Sequence, residues 1–245
     1  MSSQINFYKD KICLNVLAGS VQNAVDCFQA GKGNVLIGVL STNFRNLEEA
    51  KVELDKYQKA IENSVSIGLG AGNPKQSEVV CEIAKYVKCK HYNQVFTGVG
   101  KNRIAVDNDA WINGLVRPSG TPGMVYIGTG EHSSEYEDQT PVSIETAILL
   151  LKDMGANAVK FFPMNGLDTV DEYKKICEVC AKYNFGLEPT GGIDKTNFKE
   201  IVEIALDHGV PKIIPHVYSS IIDKETGLTN VDDVEELWRI VEDIL

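Results

Sequence analysis

Lys160 stands in the stretch GANAVKFFPMNG, residues 155–166, with Ala158 and Val159 before it and Phe161 and Phe162 after it. An ammonium among such neighbours is costly, because burial disfavours the charged form. Bringing a lysine from about 10.4 to about 7 takes on the order of 4–5 kcal/mol of differential interaction. The neutral amine that results is a nucleophile. It can attack a keto carbon and form a Schiff base, whose protonated form is an electron sink that lets a carbon–carbon bond two atoms away break. A structural ion pair with Glu188, in the next apolar run, is the competing reading of the same lysine.

Side chains alternate along a strand, so the faces of three runs can be compared. In NAVKFFP, Val159 and Phe161 share one face, and Ala158, Lys160 and Phe162 share the other. The greasier face should meet helices, which turns Lys160 inward. In GLEPTGG the same rule turns Glu188 and Thr190 inward, and in KIIPHVYS it turns His216 and Tyr218 inward. Three consecutive runs thus aim an amine, a carboxylate, a hydroxyl, an imidazole and a phenol at one region.

The elements that would hold these groups alternate along the chain. KICLNVLA, NVLIGVLS, SVSIGLGAG, NQVFTGVG, GMVYIGTG, NAVKFFP, GLEPTGG and KIIPHVYS read as strands. Nearly all are followed by helical patterns that end at Gly or Asn, as at Gly31, Gly155 and Gly209. Eight units with near-continuous apolar strands predict an α/β fold, a single (β/α)8 TIM barrel over residues 1–245. A doubly wound open sheet is the rival, but its GxGxxG fingerprint is absent. Residues 99–124 and the polar stretch EHSSEYEDQTP are expected to be loops near the strand C-terminal ends.

Composition narrows the functions. The 245 residues are 43% hydrophobic with a net charge of −10, which argues against a nucleic-acid or membrane-surface binder but not against a small anionic substrate. The N-terminal stretch has no long apolar segment and no signal-peptide layout, so a cytoplasmic location is expected. Cys177 and Cys180 form one CxxC on an amphipathic helical pattern, without a second pair at zinc-site spacing.

VKFFP, followed after about twenty-five residues by PTGGI, resembles class I 2-keto-3-deoxy-6-phosphogluconate (KDPG) aldolases. IGLGAGNPKQ, HYNQVFTGVG, LEPTGGIDKTNFKEIVEIALDHGV and IIPHVYSSIIDKETGLTNVDDVEELW resemble the KDGP aldolase family associated with D-glucosaminate breakdown. The resemblance implies a (β/α)8 barrel that splits KDPG into pyruvate and glyceraldehyde 3-phosphate without a cofactor or metal. It makes Lys160 the Schiff-base lysine and Thr190, Gly191 and Gly192 the turn that holds substrate anions. It also implies an oligomer built of identical subunits.

One departure stands out. The better-known KDPG aldolases carry a general-base glutamate on the second strand, and NVLIGVLSTNFRN contains no carboxylate. Glu188 is therefore the first candidate for proton transfer and His216 the second. Gly191 and Gly192 allow close backbone approach to phosphate, with a helix starting beyond them. Ser219 and Ser220 follow the last strand, where barrel phosphate sites often lie. Phe162 joins Lys160 on the inward face. Arg45, Arg103 and Arg117 fall after predicted strands and could grip a carboxylate or phosphate, with Arg117 and Arg45 taken as the substrate-binding pair. Lys101 is a lesser candidate, and Asn15 on the first strand could face the barrel.

Alternatives stay open at this point. Glu131, His132 and His216 could bind a divalent metal that polarises pyruvate. The same barrel could serve a phosphosugar isomerase or epimerase, or a sugar-acid-binding protein without turnover.

Overall fold

The computed structural model describes residues 4–106 and 109–245. Its strands are β1 (Leu14–Leu17), β2 (Val35–Leu40), β3 (Val65–Gly68), β4 (His91–Val95), β5 (Trp111–Pro118), β6 (Met124–Ile127), β7 (Val142–Ser143), β8 (Ala158–Phe161) and β9 (Gly186–Pro189). The first five pair in order and in parallel, β8 joins β5, and β9 joins β8. Residues 213–217 lie between β9 and β1. Ile214 N donates to Leu187 O and His216 N to Pro189 O on one side. Cys13 N donates to Ile213 O and Val217 N to Asn15 O on the other. The parallel ladder therefore runs round eight positions, as in a (β/α)8 barrel.

A helix follows each position: α1 (Val21–Ala30), α2 (Leu47–Ala60), α3 (Gln76–Tyr86), α4 (Val99–Val106), α5 (Ile144–Asp153), α6 (Val170–Lys182), α7 (Phe198–Asp207) and α8 (Val231–Ile244). Their starts follow local chemistry. Ser20, Asn46, Ser143 and Asn230 accept backbone N–H bonds at the starts of α1, α2, α5 and α8. Gly155 and Gly209 follow α5 and α7 with φ of +84° and +80°, where a side chain would be strained. Among the described residues, no helix is long and apolar enough to cross a membrane.

The fifth unit differs from the sequence expectation. Residues 99–124 are not a run of loops: they contain α4 and the fifth barrel strand, β5, while Asp107 and Asn108 lie outside the described residues. GMVYIGTG supplies β6, which runs antiparallel to β5 and carries β7 on its far side. Met124 N donates to Thr121 O, closing the turn between β5 and β6.

The outward faces of the strands pack against the helices in one large apolar cluster. Phe161 of β8, for example, stacks on Tyr173 of α6 with ring centroids 6.4 Å apart. Inside the barrel the packing is layered. Cys13, Leu36 and Ile214, with Ile5, Phe7 and Trp111, form a separate apolar plug. Above it the interior is polar: Asn15, Ser66, His91, Asn93, Asn113, Glu188 and His216 are all buried. Barrels usually fill this space with branched apolar side chains, and buried polar groups survive only if each finds partners.

Candidate active site

Glu188 is the hub of the interior, fully buried on β9. Four side chains donate to its carboxylate. Trp111 Nε1 reaches Oε1 at 2.8 Å and Asn113 Nδ2 reaches Oε2 at 2.6 Å. His91 Nε2 lies 3.1 Å from both oxygens, and His216 Nε2 lies 2.7 Å from Oε2. Burial pushes the carboxyl up, but His91 and His216 outweigh it and hold Glu188 well below the usual carboxylate range. An ionised carboxylate only accepts, so both rings must present Nε2–H to it.

That requirement fixes the rest of the network. Asn15 Nδ2 and Asn93 Nδ2 both donate to Ser66 Oγ at 3.0 Å. The Ser66 hydroxyl is thereby left to donate to His91 Nδ1, 2.7 Å away. Asn113 bridges two partners, since its Nδ2 also reaches Asn93 Oδ1 at 2.9 Å. His216 is left with a free Nδ1 lone pair. Two groups approach that lone pair: Tyr218 Oη at 2.9 Å and Lys160 Nζ at 3.4 Å.

Lys160 comes from β8, in register with Glu188 on β9 and Leu115 on β5. Its Nζ donates to Asn93 Oδ1 at 2.9 Å. No carboxylate oxygen lies within ion-pairing distance of it among the described residues, so the simple ion pair with Glu188 is not formed. Burial pulls the Lys160 amine down from 10.5 to about 8, with Glu188 acting in the opposite sense. About one-tenth of such an amine is neutral at pH 7. Burial and then the Lys160 charge push His216 down to about 3, which keeps its ring neutral.

The amine opens on a cleft at the C-terminal ends of the strands. Leu40, Leu115 and Phe162 give the cleft apolar walls, the Gly68–Gly72 turn lies along one side, and Thr190 and Tyr218 complete it. Gly70, Ala71 and Gly72 all have positive φ, which brings bare backbone to the rim.

The Gly191–Gly192 turn sits beside it with φ of +98° and +70°. Its carbonyls are engaged: Gly191 O accepts from Gly166 N and Gly192 O from Asn197 Nδ2, both at 2.9 Å. Among the described residues, no backbone carbonyl takes the Gly191 or Gly192 N–H. Such a pair of open donors suits an anion. Ser220 Oγ donates to Ile193 O at 2.7 Å and ties the loop after the last strand to this turn, while Ser219 is exposed beside it.

The arginines are placed differently from the sequence expectation. Arg45 is 86% exposed, paired with Glu49 at 3.0 Å, and lines a separate groove with Phe44, Val79 and Ile83. It does not reach the cleft, because α2 begins immediately after it and its guanidinium folds back on that first turn. Arg103 is taken up by Gly155 O, Ala110 O and Asn157 Oδ1 on the outer face of the barrel. Lys101 pairs with Glu78. Arg117 stands at the end of β5, paired with Glu137 at 3.1 Å, in a cavity shared with Pro163 and Asn165. Only Arg117 borders the loop that carries Phe162.

The metal alternative does not find its ligands. Glu131 and His132 are exposed, and neither clusters with His216 among the described residues. His91, Glu188 and His216 do cluster. Both ring Nε2 atoms there carry hydrogens directed at Glu188, and Trp111 and Asn113 occupy its remaining lone pairs. That donor set does not fit a cation.

Alternation revealed Lys160, Glu188, His216 and Tyr218. It did not reveal Ser66, His91, Asn93, Asn113 or Trp111, although His91 and Asn93 share one face of β4 by the same rule.

A model of the KDGP aldolase family matches residues 8–225. A protein of Salmonella typhimurium (strain 14028s / SGSC 2262) named 2-dehydro-3-deoxy-phosphogluconate aldolase is 43% identical over 245 residues, covering 97% of this chain and 98% of its own. Among solved structures, one described as native KDPGal superposes with a TM-score of 0.56 at 11% identity over 95% of each chain. Phosphoribosyl anthranilate isomerase from Thermococcus kodakaraensis does so with a TM-score of 0.58 at 13% identity, over 94% of this chain and 99% of its own. These two show the barrel fold alone. The match over most of the chain and the 43% identity together show that the chain belongs to the KDGP aldolase family.

Proposed function

We propose that this chain is a Schiff-base aldolase that cleaves 2-dehydro-3-deoxy-6-phosphogluconate to pyruvate and glyceraldehyde 3-phosphate. The observation that carries the reading is the Lys160 amine at the floor of the cleft, pulled down to about 8 by burial and, among the described residues, in ion-pairing distance of no carboxylate. The name of the Salmonella relative supports the substrate.

Lys160 attacks the C2 keto carbon and loses water to give an iminium. Asn93, which accepts from the amine, orients it. Leu115, Phe162 and Leu40 suit the pyruvyl end of the substrate. Thr190, Gly191 and Gly192, with Ser219 and Ser220 nearby, suit an anionic end, and Arg117 is the cation best placed for another. Arg45 has no part in this scheme. Glu188, enclosed by four donors, acts through His216 rather than on the substrate.

A lysine with raised nucleophilicity distinguishes this from an isomerase or a passive binder. Borohydride reduction in the presence of pyruvate, followed by mass spectrometry, tests it. The expected result is a reduced adduct on Lys160 and release of pyruvate from the phosphorylated substrate. Turnover without any adduct would overturn it. A cytosolic homo-oligomer belongs to the same reading, and sedimentation of the purified chain checks the subunit count.

A further inference from the structure

Among the described residues no carboxylate lines the cleft to move protons, yet an aldol cleavage needs one proton removed from the C4 hydroxyl and one delivered to C3. Tyr218 answers that need. It lines the cleft with Lys160, and the two groups share one acceptor, His216 Nδ1. The phenol occupies space that a glycine leaves open: a Cβ on Gly38 of β2 would sit 3.4 Å from Tyr218 Oη and 2.9 Å from Leu17 Cδ2. Behind the phenol, Tyr218, His216 and Glu188 form a line from the cleft into the barrel.

We propose that Tyr218 is the acid–base residue of this site and that His216, positioned by Glu188, is the proton store behind it. The inference rests on the aldolase reading. In the forward direction the C4 hydroxyl proton passes to Tyr218 Oη as the Tyr218 proton passes to His216 Nδ1. The C4 oxygen becomes the aldehyde carbonyl. The C3–C4 pair forms the C2=C3 bond, and the C2=N pair returns to the Lys160 nitrogen. The imidazolium then returns its proton through Tyr218 to C3, which becomes the methyl group and restores the iminium. Water hydrolyses the iminium and releases pyruvate, so atoms and charges balance without a further reactant.

The charges explain why the proton moves when it does. Burial and, after it, a cation at the Lys160 nitrogen hold the His216 ring neutral. Carbon–carbon cleavage turns the iminium into a neutral enamine and removes that repulsion. His216 therefore gains basicity as the electron pair arrives on nitrogen, and the pair carries one positive charge throughout. Glu188 stabilises the imidazolium through its Nε2–H.

Two readouts separate imine formation from proton transfer: borohydride trapping with pyruvate, and exchange of the pyruvate methyl protons in deuterium oxide followed by NMR. Tyr218→Phe and His216→Gln are expected to be trapped on Lys160 within threefold of wild type, while exchange and cleavage fall by about 100-fold or more. Exchange within threefold of wild type in Tyr218→Phe overturns the proposal and leaves the aldolase reading intact. A trapped wild type with a folded Tyr218→Phe that no longer traps also overturns it, since the phenol would then serve imine formation. A wild type that is never trapped removes the aldolase reading and this inference with it. Should Tyr218→Phe fail to fold, His216→Gln carries the same comparison.

Discussion

Replacing Lys160 by methionine should stabilise the folded chain at neutral pH while abolishing imine formation. Burial, only partly opposed by Glu188, lowers the amine from 10.5 to about 8. A gap of about 2.5 pH units at about 1.4 kcal/mol each means that the charged amine costs roughly 3.4 kcal/mol relative to the unfolded chain. The folded value lies below the unfolded one, so the penalty is full below pH 8 and fades as pH rises towards 10.5. About 0.8 kcal/mol of it remains at pH 10. Methionine keeps an unbranched stem and drops the charge. It also loses the hydrogen bond to Asn93 Oδ1, worth about 1 kcal/mol. Asn93 Oδ1 is not orphaned, because Asn113 still donates to it. The net gain is about 2 kcal/mol at pH 6.5 and close to nothing at pH 10. For a chain of this size that is a Tm rise of about 4–8 °C. Parallel urea and thermal melts of the two proteins at pH 6.5 and pH 10 measure it. A variant no more stable than wild type at pH 6.5, or equally favoured at both pH values, would refute an amine held at a cost by burial.

The rate of borohydride trapping with pyruvate should rise with pH and level off above about 8, the value to which the Lys160 amine is lowered; a rate still climbing through pH 10 contradicts that. Glu188→Gln places an NH2 group against a ring of donors and leaves about two of them without an acceptor, which should cost roughly 2–6 kcal/mol in urea melts. In wild type the stabilisation from ionised Glu188 is present above the ordinary carboxylate value and is lost as pH falls through its lowered folded value. Arg45→Ala should leave KM within twofold, because that side chain is 86% exposed and bound to Glu49, whereas Arg117→Ala should raise KM about tenfold or more through loss of a charged contact. Gly192→Ala should destabilise by about 2 kcal/mol or more, since φ is +70° and a Cβ would lie 2.7 Å from the Asn165 carbonyl carbon; melts that match wild type would contradict the tight turn.

The central part of this site was legible because strand alternation is local. Val159 and Phe161 had to face helices, so Lys160 faced the interior, and the same rule oriented Glu188, His216 and Tyr218. The fifth strand was not legible for an equally physical reason. WINGLVRP carries Asn113 and Gly114 at its centre, which reads as a turn. Asn113 is a strand residue only because Asn93 and Glu188, on other strands, satisfy its amide. GMVYIGTG has the better strand composition but pairs antiparallel beside the barrel rather than within it. α4 was hidden similarly, since Arg103 gains its place from Gly155, Ala110 and Asn157, contacts that sequence spacing does not disclose. Arg45 misled because lying after a strand says nothing about which neighbour claims a guanidinium.

The segment at 213–217 has a consequence for assembly. Its ladder is interrupted, because Pro215 has no N–H to give, and the joint between β9 and β1 is completed by side chains. His216 grips Glu188 on β9 at 2.7 Å, and the Tyr218 hydroxyl reaches Asn15 Oδ1 on β1 at 3.1 Å. The last stave of the barrel and the proton-handling groups are therefore one piece. A chain whose ring has not yet closed does not bury its lysine, so an incompletely folded molecule carries an ordinary, protonated amine. Reactivity towards ketones is withheld until the circle is complete.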